Sequence, residues 1–175
     1  MSDIKLYYFS HFGRGEICRL VLAASGVQWE DIRFTAEQWR TKYKKGLAGT
    51  TKLETARVEE IVQLEQEFFN NYLVKVLFEK DHARKVELLD KLKKEDIPRY
   101  FNHFEKLLED NGTGYFVGHQ LTLADIAVYD AVVNHVQTVL HVHDADHEQY
   151  PEVLALCDKV EANPNIQKYL EQQRD

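Results

Sequence analysis

Proline is scarce in this chain. There are three in 175 residues, Pro98, Pro151 and Pro164, all in the second half. Cysteine is scarcer still: Cys18 and Cys157, each on an apolar helical stripe. That excludes a disulfide-stapled scaffold and predicts two buried free thiols in a reducing, cytoplasmic setting. Long apolar runs are missing. None approaches the ~20 residues of a membrane span, and Met1-Ser2-Asp3-Ile4-Lys5 has no signal-peptide core. Basic charge is in deficit, with 22 Lys and Arg against 29 Asp and Glu and a net charge of -7. This excludes a general binder of nucleic acid or anionic membrane. No metal-ligand spacing is present. His135, His141, His143 and His147, with Asp144 and Asp146, are irregularly spaced and read as solvent-exposed. Internal repeats and low-complexity tracts are lacking too.

What remains is ordinary globular material, 44% hydrophobic and 29% charged, long enough for one large domain or two small ones. Ile4 to Phe9 is apolar on both alternating faces, which predicts a strand buried on both sides. Gly13 and Gly15 mark a turn. A helix follows with Ile17, Leu20, Val21 and Ala24 as its apolar stripe and Gly26 as its C-terminal cap. Gln28 to Phe34 reads as a second strand, so the unit is a right-handed, parallel βαβ. Ala36 to Lys45 reads as a short helix opened by Thr35. Tyr8, at the first strand's end just before a helix N-terminus, is the sharpest feature. A phenol there can donate a hydrogen bond to an anion that the helix end also favours. Taken alone, the commoner reading of such a residue is a packed strand aromatic.

Beyond Lys45-Gly46 the pattern is helical. Thr51 and Glu54 form a capping box opening a helix with Val58, Ile61, Val62, Phe68, Phe69 and Tyr72 inward and Glu59, Glu60, Glu65 and Glu67 mostly outward. Glu79 to Glu95 contains a turn and the start of another helix. Phe101, Phe104, Leu107 and Leu108 form a stripe ending at Asn111-Gly112. Thr122 and Asp125 give the clearest cap, for a helix running through Val132, Val136 and Leu140. Pro151 opens the next helix, with Val153, Leu156, Cys157 and Val160 inward. Asn163-Pro164 caps the last. The expectation is a small α/β piece followed by a bundle of roughly five helices.

These motifs together resemble a cytosolic glutathione S-transferase of the sigma class, the group that includes haematopoietic prostaglandin D synthase and the S-crystallins. The resemblance rests on Leu6-Tyr7-Tyr8-Phe9 followed by Gly13-Arg14-Gly15-Glu16, on Trp39, and on Leu47-Ala48-Gly49. Arg57-Val58-Glu59-Glu60-Ile61, Phe116-Val117-Gly118 and Leu121-Thr122-Leu123-Ala124-Asp125 complete it. It implies an α/β N-terminal piece, residues 1–45, that is a truncated thioredoxin-like βαβα domain for glutathione. It implies an all-α C-terminal glutathione-transferase domain over residues 46–175. One departure stands out. In the family a β-β-α unit follows the second helix, with a cis-proline before its first strand and a Gln-Ser pair at its helix. Here Lys44-Lys45 runs straight into Gly46, and roughly 30 residues have no counterpart.

The resemblance also implies roles. Tyr8 would be catalytic, hydrogen-bonding the glutathione thiolate and lowering a thiol pKa that is ordinarily about 8.5. Arg14 would steady the thiolate by charge. Trp39 would line the glutathione pocket, although it also fits a core aromatic. Lys42 or Lys44 would reach a glutathione carboxylate, flanking Tyr43 where the family has lysine. Arg40, Lys42, Lys44 and Lys45 equally make a solvated basic face. Phe9, Phe12 and Phe69 would form an apolar wall for the second substrate. Glutathione is the implied co-substrate, with a small hydrophobic electrophile as partner. No metal is implied, since Gln63, Gln66 and Glu67 stand where the prostaglandin synthase has metal-binding aspartates. The implied activity is conjugation of the glutathione thiolate to electrophiles, as in detoxification, or glutathione-dependent isomerisation, impaired by the missing segment. The family homodimer would be weakened or lost. The alternatives are a non-enzymatic crystallin-like structural protein and a catalytically silent variant acting through protein contacts.

Overall fold

The computed structural model describes residues 4–10, 14–39, 46–142 and 149–173. The chain divides into two compact units, Met1–Lys45 and Gly46–Asp175.

In the first unit, β1 (Lys5–Phe9), α1 (Arg14–Ser25), β2 (Glu30–Phe34) and a single turn, α2 (Ala36–Gln38), follow in order. The strands pair in parallel, with Tyr8 opposite Arg33 and Phe9 opposite Phe34. Gly26, at φ +68°, ends α1 in the left-handed conformation that glycine adopts without strain. Thr35 caps α2 in a reciprocal capping box with Gln38. Residues 40–45, where the rest of the expected helix falls, lie outside the described residues.

Two expectations for this unit need correction. β1 is not buried on both sides, for Ile4 and Tyr7 are exposed and none of its residues is fully buried. The α1 stripe faces outward, with Ile17, Leu20 and Val21 67%, 63% and 62% exposed; Cys18, expected to be buried, is exposed as well. The width of the sheet explains both. Among the described residues the sheet has two strands. Strands spaced about 4.8 Å apart offer a ribbon narrower than a helix about 10 Å across, so it covers only part of α1. Among the α1 residues whose burial is described, the one that is buried is Arg19, 4% exposed.

The second unit is helical: α3 (Lys52–Phe68), α4 (Val74–Leu77), α5 (His82–Lys91), α6 (Ile97–Asn111), α7 (Leu123–Tyr129), α8 (Pro151–Glu161) and α9 (Pro164–Gln173). Three π-helical stretches, Phe69–Leu73, Leu92–Asp96 and Asp130–Val139, interrupt or extend these helices. Its core is one cluster that includes Val58, Phe68, Phe101, Phe104, Leu108, Val128, Val132 and Leu156. The Thr51–Glu54 capping box is present, with Glu54 N donating to Thr51 Oγ1 at 3.1 Å and Thr51 N to the Glu54 carboxylate at 3.1 Å. Leu123 N donates to Leu47 O at 2.8 Å, which ties the loop ahead of α3 to the start of α7.

The Thr122 cap is deeper than a surface motif. Asp125 is fully buried and accepts from Phe116 N at 2.8 Å, Thr122 N at 2.6 Å and Thr122 Oγ1 at 2.7 Å. Burial pushes its carboxyl pKa up against the pull of those donors. Glu105 of α6 is a second buried carboxylate. It accepts from Glu152 N at 2.8 Å and Val153 N at 2.9 Å, and so caps α8 from a different helix.

Two expectations shift here. The i, i+4 spacing of Val132, Val136 and Leu140 predicts α-helix, but from Asp130 the chain is π-helical, and Leu140 N bonds to His135 O. The turn and helix start expected after Glu79 are present, with Asp81 accepting from Arg84 N to cap α5. Glu65, expected to point outward, is half-buried.

Candidate active site

The first unit carries the predicted thiol-activating residue. Tyr8 is half-buried near the C-terminal end of β1. Its ring stands edge-on to Phe9, with centroids 5.7 Å apart. Phe9 in turn packs on Phe34 at 4.9 Å and on Trp39 at 6.0 Å, and Phe34 stacks on Trp39 at 5.4 Å. Along β1, Tyr7 is exposed while Tyr8 is half-buried beside Arg19 of α1, and Phe9 packs with its ladder partner Phe34 and with Trp39. Three of the predicted residues, Tyr8, Phe9 and Trp39, share one aromatic cluster.

A charged group sequence reasoning missed organises the same place. Arg19 Nε donates to both Asp31 carboxylate oxygens at 3.1 Å. Its other nitrogens donate to Glu16 Oε2 at 3.0 Å and to the Phe9 carbonyl at 3.0 Å. The guanidinium carbon lies 5.7 Å from the Tyr8 ring centroid. Asp31 also accepts from Arg33 Nε at 2.6 Å. Burial alone would raise the Asp31 pKa, but the hydrogen bonds from Arg33 and Arg19 outweigh it and hold the carboxyl below its ordinary value. Arg19's hydrogen bond to Glu16, and then that to Asp31, raise its own pKa against the opposing effect of burial. The signal was available: Glu16 and Arg19 are one helical turn apart, and Asp31 and Arg33 stand two apart in the strand that follows.

The remaining predicted residues are dispersed. Arg14 is the first residue of α1, while its side chain, Phe12, Lys42 and Lys44 lie outside what is described. Phe69 belongs to the second unit, where it begins a π-helical stretch and meets the His135 ring edge-on at 4.8 Å. His135 Nδ1 is 3.1 Å from Asp130 O. His143, Asp144, Asp146 and His147 lie outside the described residues. Among the described residues no three His, Cys, Asp or Glu side chains converge as metal ligands would. Gln63, Gln66 and Glu67 line an open polar cleft with His103, and Glu67 accepts from Tyr100 OH at 2.7 Å. No described helix is long and apolar enough to cross a membrane. Cys157 is no candidate nucleophile, because burial pushes its thiol up to about 12.

Chemically, the first unit offers a half-buried phenol edge-on to Phe9, next to a buried guanidinium whose charge is balanced by two carboxylates. Such a phenol can hydrogen-bond a thiolate.

Comparison with known proteins agrees. Residues 67–173 match the family described as glutathione S-transferase, C-terminal domain. S-crystallin SL11 of Nototodarus sloanii is 28% identical, with 100% of this chain and 98% of that one covered. That match spans 209 positions, 34 more than the 175 residues here, so at least that many positions of the crystallin have no counterpart in this chain. A probable glutathione S-transferase 6 of Caenorhabditis elegans is 27% identical over 100% of this chain and 98% of its own. The solved structure of prostaglandin synthase D from Nilaparvata lugens is 27% identical, with a TM-score of 0.65 and coverage of 95% and 96%. With its truncated α/β piece, its helical unit and these matches, the chain belongs to the glutathione S-transferase family.

Proposed function

We propose that this chain is a sigma-type glutathione S-transferase in which Tyr8 activates the glutathione thiol, working as a weak enzyme because its glutathione domain is short. The observation that carries the reading is Tyr8 itself: half-buried at the end of β1, edge-on to Phe9 and beside the Arg19 guanidinium. Arg14, Lys42 and Lys44 supply the charge for glutathione, and Phe9, Phe12 and Phe69 the apolar wall for a hydrophobic electrophile. The reaction is thiolate addition or glutathione-dependent isomerisation. The setting is cytoplasmic, and the chain is a monomer or weak dimer because the helix that family dimers use is missing. No metal takes part.

The weakness can be sized. The segment absent by resemblance supplies two neutral hydrogen bonds and two to charged groups. At roughly 0.5–1.5 and 1.5–3 kcal/mol each, their loss costs about 4–9 kcal/mol. Each ~1.4 kcal/mol is tenfold, so a micromolar site weakens to about millimolar or beyond. Calorimetric titration with glutathione tests this, and a micromolar dissociation constant would refute it. Tyr8→Phe tests the catalytic role. It removes only the hydroxyl and should lose most of any conjugation of a chloronitrobenzene electrophile with the fold intact; equal rates would remove Tyr8 from the mechanism.

A second reading is a non-enzymatic, crystallin-like structural protein. It is favoured by the similarity to S-crystallins of Nototodarus sloanii and Enteroctopus dofleini. A stable, highly soluble protein with no conjugating activity, in which Tyr8→Phe changes nothing, fits that reading.

A further inference from the structure

We infer that Arg19 is a positioning residue for Tyr8: its guanidinium fork clamps the end of β1 and fixes the phenol that, on the reading above, activates the thiol. Arg19 is almost fully buried and joins three elements at once. From α1 it reaches Asp31 on β2 through both carboxylate oxygens, and it closes on the Phe9 carbonyl of β1. Phe9 follows Tyr8 directly, so the bond to its carbonyl anchors the strand end that bears the phenol. The same guanidinium lies beside the Tyr8 ring, 5.7 Å from its centroid. A planar fork with fixed donor directions holds one arrangement, which an ammonium on a flexible stem does not.

Its charge does not explain its place. Glu16 and Asp31 both lie within 3.1 Å of the guanidinium, and Arg33 balances the second carboxylate. A neutralised cluster projects little net field onto the phenol. Geometry is what Arg19 contributes. A displacement of about 1 Å at a reacting group costs on the order of a hundredfold in rate.

The test is a double-mutant cycle on conjugation of glutathione to a chloronitrobenzene, using wild type, Arg19→Met, Tyr8→Phe and the double variant. Arg19→Met is expected to lower kcat roughly ten- to a hundredfold with the KM for the electrophile unchanged. In the Tyr8→Phe background the same change should alter the rate less than about twofold, because a residue acting through Tyr8 has nothing left to position. Equal losses in both backgrounds overturn the inference and make Arg19 a packing residue. Arg19→Lys keeps the charge without the fork and should fall with Arg19→Met; full activity in it also overturns the inference. Trp29 and Trp39 both belong to this unit, so their fluorescence reports its folding, and Arg19→Lys carries the test if Arg19→Met does not fold. Absence of conjugation in wild type sinks the functional reading, and a spectroscopic arm then decides this one. In chain labelled with ¹³C-tyrosine, the Tyr8 ring resonances should shift in the Arg19 variants while those of exposed Tyr7 stay in place. An unmoved Tyr8 signal overturns the inference.

Discussion

Glu65 makes the stability of the helical unit depend on pH near neutrality. The residue is half-buried on α3, one turn before Phe69. Desolvation, and then the charge of Asp130, raise its carboxyl from 4.5 to about 7. Asp130 stands where α7 turns π-helical, accepting from Asn134 Nδ2 at 2.7 Å, with His135 Nδ1 3.6 Å from its carboxylate. A carboxyl whose folded pKa is raised binds its proton more tightly in the folded chain than in the unfolded one. Its stabilising contribution is therefore complete below pH 4.5 and is lost as pH climbs through about 7. Unscreened, that interval corresponds to roughly 3 kcal/mol. Glu65 is only half-buried, and water screening reduces this to about 1–2 kcal/mol. Glu65→Gln keeps the shape and removes the proton. The two proteins should melt together near pH 5, and by pH 8 the variant should lead by about 3–6 °C. Melts followed by helical circular dichroism at pH 5, 6, 7 and 8 give the difference curve, which cancels the histidines common to both. A flat difference curve, or one in which wild type gains on the variant as pH rises, would refute the reasoning.

Two further outcomes follow from the helical unit. Asp125→Ala should cost roughly 2–5 kcal/mol, more than an exposed cap, because it leaves Phe116 N and Thr122 N buried without an acceptor; an unchanged urea midpoint would count against it. Gly49 has φ +77° and a Cβ there would lie 2.6 Å from Glu54 Cβ and 3.0 Å from Glu54 C, whereas Gly46, at φ +82°, faces open space. Gly49→Ala should therefore lose clearly more than the ~1–3 kcal/mol of left-handed strain that Gly46→Ala incurs, and equal urea midpoints for the two would show that Gly49 is not closely packed.

The range of each interaction decides what could be read from the sequence. Thr51–Glu54 and Thr122–Asp125 were legible because both partners of a capping box lie within one turn, and their spacing is written in the chain. The inward stripes of α6 and α8 were legible because burial there follows the helical period. The Glu105 cap on α8 was not, since its partners are 47 and 48 positions away and no local pattern announces them. Of the candidate site, Tyr8, Phe9 and Trp39 were singled out in the sequence for separate roles, and their rings form a chain of contacts in the first unit, whereas Arg19 was not singled out. The error has a physical cause. Periodicity tells which face of a helix is apolar; whether that face is covered depends on how much surface the neighbouring element offers. Ile17, Leu20 and Val21 form a stripe suited to a broader layer, but a two-stranded ribbon presents only enough width for one line of contacts. Arg19 takes that line because it reaches three acceptors there, and a guanidinium so bonded is stable where an uncovered apolar residue gains nothing. The narrow sheet thus also determines which side of α1 meets the strand that bears Tyr8.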